Sequence, residues 1–339
     1  MKFFRKDVSI LIVSNGYWRS HFFCKLFSKY AHIVRIIISK QPIPTEVGFF
    51  DIIMWENDIS DDIPSYIDPG KIVLFDYRDE GTRQLLNQYA KKMNLSNPKK
   101  LLILSNCEDT GCLPVPPPKL KKPQSLKPLR DRHQDIFFCC SPTYLYMDNP
   151  FKAKYVVSSK HRILYNQRLE WAEKLCRKGL LNNRQGIVRS DINYLKESVI
   201  IDLFNYYGPK IFVSPIPKNN YLTHLENTKI LLCPAGHSRW TYRHIEGFFY
   251  RSLVISCDFM NFKMLPQIPK TTYIKVQDGT FRASLIEDIL EDIDHHQAIA
   301  DEGYEFVKHY YKLKSIYSKS GYHREGKKKI FDDFIDYFK

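Results

Sequence analysis

The residues with the clearest chemistry lie between positions 236 and 250. Pro234, Ala235, Gly236 and His237 form a break, and Ser238 is a good N-cap for the proline-free run that follows. At about 100° per residue, Arg239, Arg243, Glu246 and Tyr250 fall on one stripe of that helix. Ile245, Phe248 and Phe249 fall on the opposite side. A guanidinium one turn in, beside the unpaired N–H groups of a helix start, suits a phosphate. The amide dipoles favour an anion, and the guanidinium fork grips two of its oxygens. A carboxylate one turn further can accept from ribose hydroxyls. His237 and Ser238 sit in the turn, within reach of the same anion. The competing reading is a solvated Arg243–Glu246 pair at i,i+3, worth roughly 0.2–0.5 kcal/mol, with His237 a surface loop residue.

Two strands would hold this helix. Residues 229–233 are a short apolar run, and residues 253–257 are a second, closed by Asp258. Strand, turn, helix and strand in that order make two parallel strands of an α/β domain. The helix then begins just past the carboxyl end of a parallel strand, where open α/β sheets bind ligands.

The same stretch resembles the signature of exostosin-like glycosyltransferases, and is also similar to that of CAP10-type O-glucosyltransferases. The exostosin pattern is a strand ending in a Pro-Gly-type turn, then Ser, Arg, two residues, an acid and a small residue. A short gap, a small residue and a β-branched strand ending in Asp follow. Pro234, Gly236, Ser238, Arg243, Glu246, Gly247, Ser252, Val254, Ile255 and Asp258 match it. Arg251 stands where the family usually has Gly, and Val254-Ile255 lacks the usual Pro. A second block, residues 135–141 followed by Arg162 and Arg168, resembles the start of the same domain. The likeness covers roughly the C-terminal half.

That resemblance implies a GT-B glycosyltransferase: an α/β protein of two Rossmann-like domains facing a cleft. It would move a sugar, from a UDP-sugar foremost, to a glycan or glycoconjugate acceptor, with inversion. Arg243, Glu246, Ser238, Gly236, His237, Arg239 and Arg162 would bind the nucleotide-sugar. Arg168 could assist the diphosphate, or lie solvated on its helix. Lacking an apolar anchor, the protein would be soluble and cytoplasmic.

Composition sets the frame for these expectations. With 44% hydrophobic and 14% aromatic residues the chain can bury two cores, which excludes a disordered protein. No apolar run is long enough to cross a bilayer as a helix, and 10–13 is too short for a signal-peptide core. The net charge is +14, from 51 Lys+Arg against 37 Asp+Glu. Such a charge suits a nucleoside diphosphate, an anionic membrane surface contacted peripherally, or nucleic acid. DNA or RNA is not expected. The basic clusters at 99–100, 119–132 and 324–329 fall outside core elements, and no nucleic-acid-binding signature is present. The cysteines show neither CxxC pairs nor ligand spacing, so they read as reduced structural thiols.

Along the chain, strands at 9–13, 33–38, 51–55, 71–75 and 101–104 alternate with helices at 18–30 and 79–93. This is a doubly wound pattern. No G-x-G-x-x-G follows the turn at 14–16, so no dinucleotide cofactor is expected. The expected division is an N-terminal Rossmann-like acceptor domain at 1–113, a Pro/Lys-rich linker at 114–134, and a C-terminal Rossmann-like nucleotide-sugar domain at 135–312. A basic tail and helix at 313–339 would return to the first domain. Helices are expected at 163–178 and throughout 281–311.

Glycosyl transfer also needs a base for the acceptor hydroxyl. Asp76 and Asp79, after the strand at 71–75, are the candidates, although Asp79 also reads as a helix cap. Glu108 and Asp109 are a second choice. The D-x-D spacing Asp292-x-Asp294 lies in an acidic helical pattern, so no metal is expected. Two other classes stay open: a basic nucleic-acid-binding α/β protein, and an inactive glycosyltransferase-like scaffold.

Overall fold

The computed structural model describes residues 7–15, 17–38, 43, 45, 47–56, 63–76, 101–103, 111–112, 120–123, 125–140, 159–181, 186–188, 212–213, 216–235, 241–257, 263–264, 268–277, 279–311 and 322–338. Its first elements are β1 (Ser9–Ser14), α1 (Tyr17–Phe27), β2 (His32–Ile37), β3 (Ile52–Glu56), β4 (Ile72–Asp76), β5 (Leu101–Ile103) and β6 (Gly111–Cys112). Next come β7 (Gln134–Phe137), β8 (Cys139–Cys140), α2 (Ser159–Arg177), β9 (Gly186–Val188), β10 (Phe212–Val213), α3 (Lys218–Asn227) and β11 (Thr228–Cys233). The chain continues through α4 (Tyr242–Phe249), β12 (Leu253–Cys257), β13 (Lys263–Met264), β14 (Ile274–Val276), α5 (Ser284–Glu291), α6 (Gln297–Tyr310) and α7 (Arg324–Phe338).

Contacts divide the chain into two compact units. Unit 1 is Met1–Pro118, Asn261–Ile268 and His309–Lys339; unit 2 is Lys119–Met260 and Pro269–Lys308. Residues 119–134, read as linker from their prolines and lysines, therefore belong with unit 2, and 261–268 with unit 1. Both units are α/β and doubly wound, of Rossmann type.

Among the described residues, unit 1 is a parallel sheet in the order β13-β6-β5-β4-β3-β1-β2. The chain leaves β1 for β2 and then returns to the other side of β1 for β3. The runs 10–13 and 52–55 are buried throughout. That continuity is what a parallel sheet covered on both faces requires. On one side Phe23 of α1 meets Phe75 at 5.2 Å between ring centroids. Phe331 and Phe334 of α7 meet Phe27 at 5.6 and 4.8 Å. Leu11, Val13, Trp55, Ile72 and Leu74 form the other side's cluster.

Unit 2 carries two parallel sheets, β14-β12-β11-β7 and β10-β9-β8. Only Phe138, fully buried, separates β7 from β8, so one extended segment joins the sheets. The combined order β10-β9-β8/β7-β11-β12-β14 again reverses direction beside the first strand. Its core gathers Ile136, Phe138, Trp171, Ile230, Leu232, Leu253, Ile255 and Phe281.

Four local expectations change. Helix α4 starts at Tyr242 with Thr241, not Ser238, as N-cap. The run 281–311 is two helices, because Asp292 leaves helical geometry (φ −127°, ψ 52°) and a 3-10 turn at 293–296 intervenes. Tyr250 is not on the helix stripe with Arg243 and Glu246. It ends the helix (φ −90°, ψ 9°), lies buried, and donates through its hydroxyl to the Lys121 carbonyl at 2.9 Å. Arg132 is no linker cation. It is buried and donates to the carbonyls of Lys127, Thr228 and Tyr250. Burial depresses its pKa to about 10, a cost that these acceptors offset. The helix expected at 79–93 lies outside the described residues, as do Glu108 and Asp109. Among the described residues no helix is long and apolar enough to cross a membrane.

Candidate functional site

The site is assembled where the sheet of unit 2 reverses direction, between β7/β8 and β11. Crevices at the carboxyl ends of strands flanking such a reversal are where doubly wound sheets take ligands. Cys140 ends β8 and Cys233 ends β11, both buried. The positive field of Arg243 is felt at Cys139 and at Cys233. Arg243 therefore lies beside the reversal.

Helix α4 brings it there. Gly247 makes the close approach possible: a Cβ at that position would stand 2.5 Å from Val254 Cγ2 and 2.8 Å from Leu231 Cδ2. Ile245, Phe248 and Phe249 are buried against the sheet and α6, as their spacing predicts. At the C-terminal end, Arg251 N–H donates to Phe248 O and Ser252 N–H to Gly247 O, a Schellman closure. The closure needs a left-handed residue, and Arg251 occupies it at φ 55°. That explains why a family pattern would place Gly there. The Arg251 side chain gains an ion pair with Asp301.

The helix start is held by His244, which is fully buried. His244 Nδ1 lies 3.0 Å from both the N–H and the carbonyl of Thr241; the capping box is the arrangement in which Nδ1 accepts from the N–H and Nε2 carries the proton. Nε2–H then donates to Ser256 Oγ at 2.6 Å, and Ser256 O–H donates to the Cys233 carbonyl at 3.2 Å. This relay ties the first turn of α4 to the ends of β11 and β12. Burial, followed by the Arg243 charge, pushes the His244 pKa down to about 3, against the Thr241 contact. The imidazole is neutral across the physiological range.

Arg243 and Glu246 stand at i,i+3 on α4 and are partly buried. The Arg243 Nε is buried and has no hydrogen-bond partner among the described residues. Tyr221 of α3 donates its hydroxyl to Glu246 Oε2 at 2.6 Å. Burial first, and then the Glu246 charge, raise the phenol's pKa well above its usual value, with Arg243 opposing. Arg168 of α2, which helix position alone would leave solvated, is only 8% exposed. Its neighbour Gln167 accepts from Ala235 N–H at 3.0 Å and so ties α2 to the chain just past β11. Among the charged groups acting on the Cys233 thiol, two are guanidiniums (Arg243 and Arg168) and one is a carboxylate, Glu246. Burial pushes the thiol itself up, so it is neutral and adds no charge. Among the described residues, two guanidiniums and one carboxylate thus act near the end of β11.

The other predicted site residues are not brought into this cluster by the described coordinates. Gly236, His237, Ser238, Arg239 and Asp79 lie outside the described residues, as do the side chains of Arg162 and Asp76. Asp76 is the last residue of β4. Sequence reasoning missed Tyr221, whose helix carries no motif, and Gln167. It also missed Glu56 at the carboxyl end of β3. Glu56 is fully buried and accepts from Ser14 Oγ at 2.7 Å and from Asn15 N–H at 2.8 Å, fixing the turn after β1. Among the described residues no cluster of His, Cys, Asp and Glu could hold a metal. Asp294 of the D-x-D spacing faces Arg130 at 3.5 Å on the surface.

No protein-family model matches the sequence, and no curated protein matches it. The chain aligns in structure with AviGT4, a glycosyltransferase of avilamycin A biosynthesis, at 11% identity over 98% of each chain with a TM-score of 0.42. It aligns with Anabaena HepE in complex with UDP-glucose at 7% identity, over 97% of this chain and 99% of that one, with a TM-score of 0.43. It also aligns with a Rickettsia africae glycosyltransferase at 10% identity, over 99% and 100%, with a TM-score of 0.43. These likenesses concern the course of the chain and identify neither a substrate nor a residue.

Proposed function

We propose that the chain is a glycosyltransferase of the GT-B type. It would carry a sugar from a nucleoside diphosphate donor, a UDP-sugar foremost, to a glycan or glycoconjugate acceptor. The observation that carries this is the Arg243–Tyr221–Glu246 cluster beside buried Arg168, at the point where the unit 2 sheet reverses direction. In this reading Arg243 grips the diphosphate as a bidentate donor, and the backbone N–H groups at the start of α4 add to it. Their charge is fixed before reaction, so it stabilises the negative charge developing on the departing phosphate without reorganisation. Glu246 accepts from the ribose hydroxyls. In this reading Gly236, His237, Ser238 and Arg239, which precede α4 in sequence, would also contact the donor, as would Arg162, six residues before Arg168 on α2.

Asp76, at the end of β4, and Asp79, three residues on in sequence, are the proposed bases for the acceptor hydroxyl. The reaction would invert the anomeric centre and need no metal. The net charge of +14 supports an anionic donor and peripheral contact with an anionic membrane surface.

Calorimetric titration of UDP, GDP, CDP and ADP into the wild type and Arg243→Ala tests the reading. One nucleotide should bind the wild type, and the variant should lose about 2 kcal/mol, roughly thirtyfold in affinity. A folded wild type that binds none of the four would remove the proposal's support.

A further inference from the structure

Tyr221 has no counterpart in the motif on α4, yet it is built into the site from a different element. Side chains of helix α3 seat it on β7. The His224 ring stacks on Phe137 at 5.3 Å, and His224 Nδ1 lies 2.8 Å from Gln134 Oε1. Tyr221, one turn earlier, packs its own ring on Phe137 at 5.5 Å. The phenol thus reaches Glu246 from a fixed support, with its proton directed at Oε2. A glutamate alone on a helix surface has several rotamers, and here it has Arg243 one turn away as a competing partner.

We propose that Tyr221 is a positioning residue that holds the Glu246 carboxylate for a vicinal diol, so that the site selects a ribonucleotide over its 2′-deoxy analogue. The inference rests on the nucleotide-sugar reading above. A carboxylate can accept about four hydrogen bonds. The phenol uses one and sets the plane of the group, and the ribose hydroxyls donate in that plane. A site built to accept from a hydroxyl discriminates against a ligand that lacks it, because its buried acceptor is then left unpaired. Buried and neutral, the phenol keeps its proton across the working pH range and donates throughout.

The test is calorimetry on the full chain with UDP, GDP, CDP and ADP and the 2′-deoxy form of each. Wild type should prefer the ribonucleotide by about tenfold or more, the value of one charge-assisted hydrogen bond. Tyr221→Phe should bind with that preference reduced to about threefold or less. If Tyr221→Phe weakens both ligands equally and keeps the wild-type ratio, the phenol is merely structural and the inference falls. If wild type itself binds both forms alike, the inference falls while the nucleotide reading survives. If wild type binds no nucleotide, both fall. Should Tyr221→Phe fail to fold, Glu246→Gln supplies the second arm, and retention of the ratio there overturns the proposal equally.

Discussion

Acid should weaken unit 2 through His244 in a way that one substitution can isolate. In the folded state its pKa is depressed to about 3, from an ordinary value of 6.5. The unfolded chain therefore binds a proton between those values that the folded chain refuses, so stability is lost as pH falls through that window and is fully present above it. Each pH unit inside the window removes up to about 1.4 kcal/mol, and integration from pH 7 to pH 4 gives about 3 kcal/mol. The imidazole is fully buried, so solvent screening does not reduce this figure much. His244→Gln keeps an acceptor at the third helical position, the usual capping-box residue there, and cannot titrate. Urea unfolding of both proteins at pH 7 and pH 4, followed by hydrogen exchange in peptides covering β11 and β12, reads unit 2 alone. Other titrating groups cancel in the difference. The wild type should lose about 3 kcal/mol more than the variant on acidification. Equal losses within about 0.5 kcal/mol would refute the reasoning, since ordinary surface effects are of that size.

Two further predictions concern the helix that carries Arg243. At position 251, Gly should relieve the left-handed strain and Ala should not, so Arg251→Gly should be more stable than Arg251→Ala by about 1–2 kcal/mol. Against wild type the Gly variant should be close to neutral, because the Asp301 pair it gives up is partly exposed and worth about 0–1 kcal/mol. Identical melting temperatures for the two variants would contradict the Schellman assignment. At position 247, Ala should cost about 1–3 kcal/mol by overpacking, since its Cβ would stand 2.5 Å from Val254 Cγ2. Adding Val254→Ala should recover part of the Arg243-dependent nucleotide binding lost with Gly247→Ala. A Gly247→Ala protein as stable as wild type would show that α4 does not pack as closely as described.

Much of this was determined by the sequence. Buried strands announce themselves as unbroken β-branched and aliphatic runs, because a parallel sheet is covered on both faces, and 229–233 and 253–257 are of that kind. The placement of Arg243 and Glu246 on one face of a helix follows from their spacing alone. The tertiary structure decided the rest. Thr241 rather than Ser238 caps α4 because its partner, His244, is anchored from behind by Ser256, twelve residues away on β12. Arg168 and Arg132 are cations that local propensity assigns to solvent. Both are buried in the fold, and Arg132 is met there by carbonyls of Thr228 and Tyr250, partners that no window of sequence contains. Tyr221 reaches Glu246 across 25 residues for the same reason. Hydrophobic periodicity is a property of neighbours along the chain, whereas the pairing of buried polar groups is a property of strand order, which appears only once the sheet has closed.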